Sequence, residues 1–281
     1  MAKPNYIELA RDVRLPILYE DRSIMAIDKP AGWMLVPVSW QRTAWNLQAA
    51  IISSMAAGHF WARSRNLKFL KYIHRLDAET SGILLFAKSQ GALNTYGDLF
   101  ETRRMEKIYL AVTDRLPAQE VWTCRLSLGP YPARIGRQMA TPEGKPAETE
   151  FRVVASATNR HLIEARPYTG RTHQIRIHLA ESGCPIVGDE MYGTTPGDMA
   201  LRAIGLGFLD PFSRKPIAIR ADAEDFLRPY GLSAARYRVQ FKSLPRPTPP
   251  PSVAKGRQQE QLRPEAEPGH KAHKKQKPDE A

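Results

Sequence analysis

The chain has 281 residues, is 42% hydrophobic, and carries 41 Lys and Arg against 29 Asp and Glu, a formal net charge of +12. No run approaches the ~20 apolar residues of a membrane helix, the first residues lack the apolar stretch of a secretory signal, and two distant cysteines, Cys124 and Cys184, form neither a disulfide framework nor a zinc pattern. A soluble, cytoplasmic protein with reduced cysteines is therefore expected, and its excess positive charge favours phosphate contacts without naming a reaction.

In chain order, residues 1–16 are a short N-terminal extension. Residues 23–28 read as a strand, ended by the turn signal Lys29-Pro30-Ala31-Gly32. A helix is expected over residues 43–61, where Ala44, Leu47, Ile51 and Met55 share one face. The apolar run 83–87 suits a buried strand, and Ser89 is placed to cap a helix through Leu93, Tyr96, Leu99 and Phe100. Residues 107–112 and 149–154 read as further strands, with 161–165 as hairpin partner of the latter. A helix over 172–181 is stopped by Gly183 and Pro185. This order predicts an α+β fold with a mixed, largely antiparallel central sheet and flanking helices and loops. A catalytic domain over 17–243 then gives way to a tail over 244–281. Residues 245–281 hold eight prolines and eight Lys or Arg but almost no large apolar residues, so the tail is expected to stay disordered.

Several chemistries are missing from the sequence. There is no phosphate-loop motif, and Gly205-Leu206-Gly207 lacks the third glycine of a dinucleotide fingerprint. No cysteine–histidine cluster has zinc spacing, and no GxSxG elbow occurs. Neither a metal nor a cofactor is expected.

Two segments concentrate polar chemistry. In His74-Arg75-Leu76-Asp77-Ala78-Glu79-Thr80-Ser81-Gly82, an arginine and an acid precede a turn and a strand. Asp77 is either a reactive carboxylate or an acceptor of turn hydrogen bonds, and a surface pair with Arg75 would be worth only about 0–1 kcal/mol. In Tyr168-Thr169-Gly170-Arg171-Thr172-His173-Gln174-Ile175-Arg176, cations and hydroxyls stand at a helix start, a natural phosphate or carboxylate site. A basic surface helix with a buried histidine is the structural alternative.

Together these segments resemble one family. The two just quoted, with Asp28–Gly32, Glu106–Val112, Gly144–Thr149 and Val187–Gly193, are similar in order and spacing to the RluA-type pseudouridine synthases over residues 17–220. The resemblance implies the pseudouridine synthase fold and a cofactor-free isomerisation, in which uracil is detached at N1, turned and rejoined through C5. It implies Asp77 as the catalytic aspartate, Arg176 as the arginine that pairs with it, and Tyr109 as the tyrosine that stacks on the base. Arg75 matches the residue that fills the space left by a flipped nucleotide. Further expected RNA contacts are Arg171, His74, Thr172, His173 and Lys29, with Val187 packing against the base. The expected partner is structured rRNA or tRNA, bound by a monomer without membrane association.

The physics of such a reaction fits these residue types. Extruding a base costs a few kcal/mol of unstacking, an adjacent guanidinium favours a charged carboxylate, and an aromatic platform contributes roughly 1–3 kcal/mol per base. The sequence departs from the family where Leu35-Val36-Pro37-Val38 omits a histidine and where Asp210-Pro211 stands in place of His-Pro. Two other classes remain open: a glycoside or nucleoside hydrolase using Asp77 with Glu79, and an RNA-binding protein without catalysis.

Overall fold

The computed structural model describes residues 2–9, 13–35, 45–242 and 244. The start of the expected helix at 43–44, the variant stretch 36–38 and all but one residue of the tail lie outside these. Asp28 and Lys29 end the third strand of the sheet, within its first block of sequence. In the first block, β1 (Tyr6–Glu8) pairs antiparallel with β2 (Arg14–Glu20), and β2 with β3 (Ile24–Lys29). The boundary expected after residue 16 falls inside β2, and Ile7, Leu9 and Leu15 are buried beside this strand. The helical stretch is shorter than its pattern suggests. Helix α1 covers Leu47–Ala56, and after a turn in which Gly58 takes the left-handed φ of +70°, α2 covers only Phe60–Arg63. Asn46 caps α1 by accepting from the Ala49 amide.

The short β4 (Lys71–Tyr72) and β5 (Ser81–Ala87) follow, then α3 (Gln90–Glu101), whose cap is Ser89 accepting from Ala92. The runs 24–27 of β3 and 83–87 of β5 are apolar without interruption because both faces are covered. Met25, Ile27, Leu84 and Phe86 pack with Leu47, Ile51 and Trp61 on the α1 side. Ile24, Ala26, Ile83 and Leu85 pack with Tyr96 and Leu99 of α3 on the other.

The remaining strands are β6 (Glu106–Thr113), β7 (Val121–Pro130), β8 (Gln138–Ala140), β9 (Lys145–Ala157), β10 (Arg160–Pro167), β11 (Leu201–Leu209) and β12 (Pro216–Arg220). Helix α4 spans Gln174–Glu181 between β10 and β11, and α5 spans Glu224–Leu227. The expected hairpin is β9–β10. The sheet runs β1-β2-β3-β5-β11-β6-β10-β9-β7-β8, so β11 is inserted between two strands that precede it by about a hundred residues in sequence. Its pairing with β5 is parallel and short, Arg202 to Ser81 and Ala203 to Gly82, while the other pairings are antiparallel. Gly82 is obligatory at this seam. Its φ is +106°, and a Cβ there would lie 2.1 Å from the Ala203 carbonyl oxygen. Further along β11, Val239 and Phe241 of the C-terminal segment lie over Gly205 and Gly207, where any side chain would collide with them.

Candidate active site

The seam between β5 and β11 carries a cleft of about 320 Å³. Its walls come from the loop before β5, from β6, and from the loop and first turn of α4. Of the residues singled out from sequence, Asp77, Tyr109, Arg176, Arg75, Arg171, His74, Thr172 and His173 all line it.

The loop carrying Asp77 is held from below. The Lys29 ammonium donates to the carbonyls of Pro30, Ala78 and Thr80 at 3.0, 2.8 and 2.9 Å, and the Gly32 amide donates to Ala78. Lys29 is fully buried, so the expectation that it contacts RNA is corrected: its charge is consumed by three carbonyls and it secures the loop. Burial pushes its ammonium down to about 8, against the opposing pull of Glu79 and Asp77. His74 also stabilises the loop. Its ring stacks on Phe100 and its Nε2 accepts from the Leu85 amide at 3.2 Å. Burial, and then Lys107, push this imidazole down to about 3. At neutral pH His74 offers a neutral ring, and its acceptor nitrogen is already engaged.

Asp77 remains partly open, with 18% of its side chain exposed. Arg176 Nη1 donates to its Oδ2 at 3.2 Å, and His173 Nε2 lies 3.9 Å from the same oxygen. Arg176 is itself fixed by Asp189, which accepts from Nε at 2.8 Å and from Nη2 at 2.7 Å. Asp189 is buried, and its Oδ1 also accepts from the amides of Met191 and Tyr192. Burial disfavours the charge on Arg176, but pairing with Asp189 and Asp77 outweighs it and raises the guanidinium above its ordinary value. The Tyr192 ring lies 5.2 Å from the Arg176 guanidinium and 5.3 Å from that of Arg137. Its hydroxyl lies 2.9 Å from His173 Nδ1.

The expected helix 172–181 begins two residues later than its pattern suggests, because His173 takes a left-handed φ of +57°. Gln174 organises this entry. Its Oε1 accepts from the Thr169 hydroxyl and the Arg171 amide, and its Nε2 donates to Glu148 O and Thr149 Oγ1. Tyr109 sits on β6 opposite Ala165 of β10 and Ala203 of β11, two small neighbours that leave its ring room to face the cleft. Burial and the Asp77 carboxylate both raise its phenol.

Val187, expected against a base, is 4% exposed, belongs to the core cluster, donates its amide to the Val112 carbonyl and is not among the residues lining the cleft. Ile175 and Leu201 supply apolar surface in the cleft instead. Sequence reasoning also passed over Asp189, Lys107 and Gln174. Each lies in a quoted motif, yet its partner is remote in sequence, so no local pattern marks it. Among the described residues no group of three or more His, Cys, Asp or Glu is suited to a metal.

One carboxylate braced by a buried arginine thus meets an aromatic and several cations in a single cleft of the mixed sheet. Residues 23–181 match the family model described as RNA pseudouridylate synthase, and the chain belongs to that family. It is 34% identical over 215 residues to the ribosomal large subunit pseudouridine synthase C of Salmonella typhi, covering 76% of this chain and 62% of that protein. It is 35% identical over 193 residues to the protein of the same name from Escherichia coli K12, covering 68% and 57%. The chain thus spans about three-fifths of the length of these relatives. Two solved structures share its fold. Human RNA pseudouridylate synthase domain containing 4 has a TM-score of 0.60 at 22% identity, covering 73% of this chain and 87% of that one. Domain containing 1 has a TM-score of 0.59 at 24% identity, covering 74% and 83%.

Proposed function

We propose that this chain isomerises uridine to pseudouridine in RNA, with large-subunit ribosomal RNA as its substrate, acting as a monomer in the cytoplasm. The observation that carries this reading is the array Asp77–Arg176–Asp189 beside Tyr109, in a cleft walled by arginines. Ribosomal RNA is favoured over tRNA because the relatives named above are large-subunit synthases.

The geometry divides the work among side chains. Asp77 acts as nucleophile or base, and Arg176 keeps one carboxylate oxygen fixed while the rest faces the cleft. The buried Asp189 prevents Arg176 from folding onto Asp77 with both nitrogens, because it holds Nε and Nη2. Tyr109 supplies the ring on which an extruded uracil stacks. Arg75 is exposed at the cleft wall with no ion pair among the described residues, and it fills the gap in the RNA while contacting phosphate. Glu79 is exposed and does not line the cleft, which argues against a hydrolase using it as a second carboxylate.

The test maps pseudouridine at single-nucleotide resolution in total RNA from cells with wild-type protein, Asp77→Asn and none. A site present only with the wild type identifies both reaction and substrate. Purified Asp77→Asn should make no product yet bind RNA within about tenfold of wild type, because the acid acts in the chemical step. Substantial turnover by this variant would refute the assignment, and product in tRNA alone would replace the ribosomal substrate.

A further inference from the structure

Lys107 and Tyr109 are two residues apart on β6 and therefore share a face, separated by roughly 7 Å along the strand. Both side chains line the cleft, and Lys107 lies nearer the start of β6. There its ammonium donates to the Thr169 carbonyl at 2.8 Å, and Arg171, on the same loop, donates to the Pro146 carbonyl at 3.2 Å. Arg103 closes the group from the end of α3. Arg103 and Lys107 line one recess and Lys107 and Arg171 the cleft, and burial, then Arg103 and Arg171 in turn, push the Lys107 ammonium down to about 8. None of the three forms an ion pair among the described residues, although neighbouring Arg125 does, with Glu148. Glu101, exposed on the last turn of α3, also lines the cleft.

Two smaller recesses open from the same place. One, of about 240 Å³, is lined by Arg103, Arg125 and Thr169. The other, of about 170 Å³, is lined by Arg103, Lys107 and Lys242. Arg103 has a further peculiarity. It takes the left-handed φ of +60° just past the helix end, the position glycine usually fills, where a side chain costs stability. Glu148 and Glu106 also line these recesses but pair with Arg125 and Arg166, so an anion bound by Arg103, Lys107 and Arg171 would offset both the strain and the unpaired charge.

We propose that Arg103, Lys107 and Arg171 form a phosphate subsite that holds a backbone phosphodiester beside the nucleotide stacked on Tyr109. It rests on the reading of the chain as an RNA enzyme and adds to it the point where the strand leaves the cleft. Phosphate supplies the missing counter-charge and accepts the N–H groups that the two carbonyls leave free.

The test measures binding of a fluorescent single-stranded oligouridylate by anisotropy across a series of salt concentrations. Lys107→Met keeps the apolar stem and should make the negative slope of log K against log salt shallower by about 0.7, the value for one phosphate contact on a single strand. Lys107→Arg should restore it. Arg103→Gly should give a similar loss of slope while melting no lower than wild type, because glycine relieves the backbone. That contrast separates lost binding from lost folding. Slopes unchanged in both Lys107→Met and Arg103→Gly would overturn the subsite. Failure of wild-type protein to form pseudouridine in any RNA would instead defeat the functional reading, and the binding slopes would still decide the subsite.

Discussion

Replacing Asp189 by Asn removes a charge while keeping the shape of the side chain, and the surrounding bonds dictate how the amide must sit. Oδ1 accepts from the Met191 and Tyr192 amides as well as from Arg176 Nη2. The amide oxygen must therefore stay there, which puts the amide NH2 where Oδ2 was, facing the Nε–H of Arg176. Two donors then meet in a buried site. Removing one partner of a buried ion pair costs about 3–5 kcal/mol. Arg176 retains Asp77 at 3.2 Å, so the lower end applies, about 3 kcal/mol. At about 2–4 °C per kcal/mol for a body of this size, Tm should fall by roughly 6–12 °C. Released at Nε and held only through Nη2, Arg176 shifts toward Asp77, and a displacement near 1 Å costs on the order of 100-fold in rate. Chemical denaturation reads the first effect, and single-turnover pseudouridine formation at saturating RNA reads the second. A variant with unchanged denaturation midpoint and unchanged single-turnover rate would refute the bracing role.

Two further perturbations test the frame around the site. Gly82→Ala should destabilise by more than about 3 kcal/mol, because it adds backbone collision to an unfavourable φ; a soluble variant with wild-type stability would show that the seam can shift. Lys29 gives a pH signature. Its folded ammonium titrates near 8 rather than at 10.5, so between these values the unfolded chain holds a proton that the folded chain has released. Stability from this group therefore rises with pH across that window, by about 3 kcal/mol in all. The difference in unfolding free energy between wild type and Lys29→Met should grow accordingly from pH 8 to 10.5, and a flat difference would mean that Lys29 is not held as described.

Much of this arrangement can be read from local pattern. Ser89 announces α3, and the double-sided apolar run of β5 announces a covered strand, because both depend on neighbours close in sequence. The helix expected over 43–61 is broken because Gly58 adopts a left-handed turn that periodicity does not register. The place of β11 is likewise hidden. It depends on Gly82 meeting Ala203, two residues whose small size looks unremarkable until their strands are side by side. The cleft follows the same rule. Motif segments brought Asp77, Arg176, Tyr109, Arg75, Arg171, Thr172 and His173 to one place. Lys29 and Val187 were misplaced because a lysine after a strand and a valine before a glycine read alike whether they face solvent, ligand or core. Asp189 escaped notice because its meaning lies in the guanidinium it holds.

The insertion of β11 between β5 and β6 also governs how the chain must emerge from synthesis. When residues 81–113 have been made, β5 and β6 exist but have no strand between them, and each presents an unpaired edge. Such edges invite pairing with other chains. They stay open until residue 209 is available, and the glycine face of β11 stays bare until Val239 and Phe241 follow. The carboxylate and the arginine that braces it are joined only once that late strand has closed the sheet. A nascent chain stalled between Arg176 and Leu201 would carry every residue of the cleft wall but Leu201 and lack the cleft's geometry.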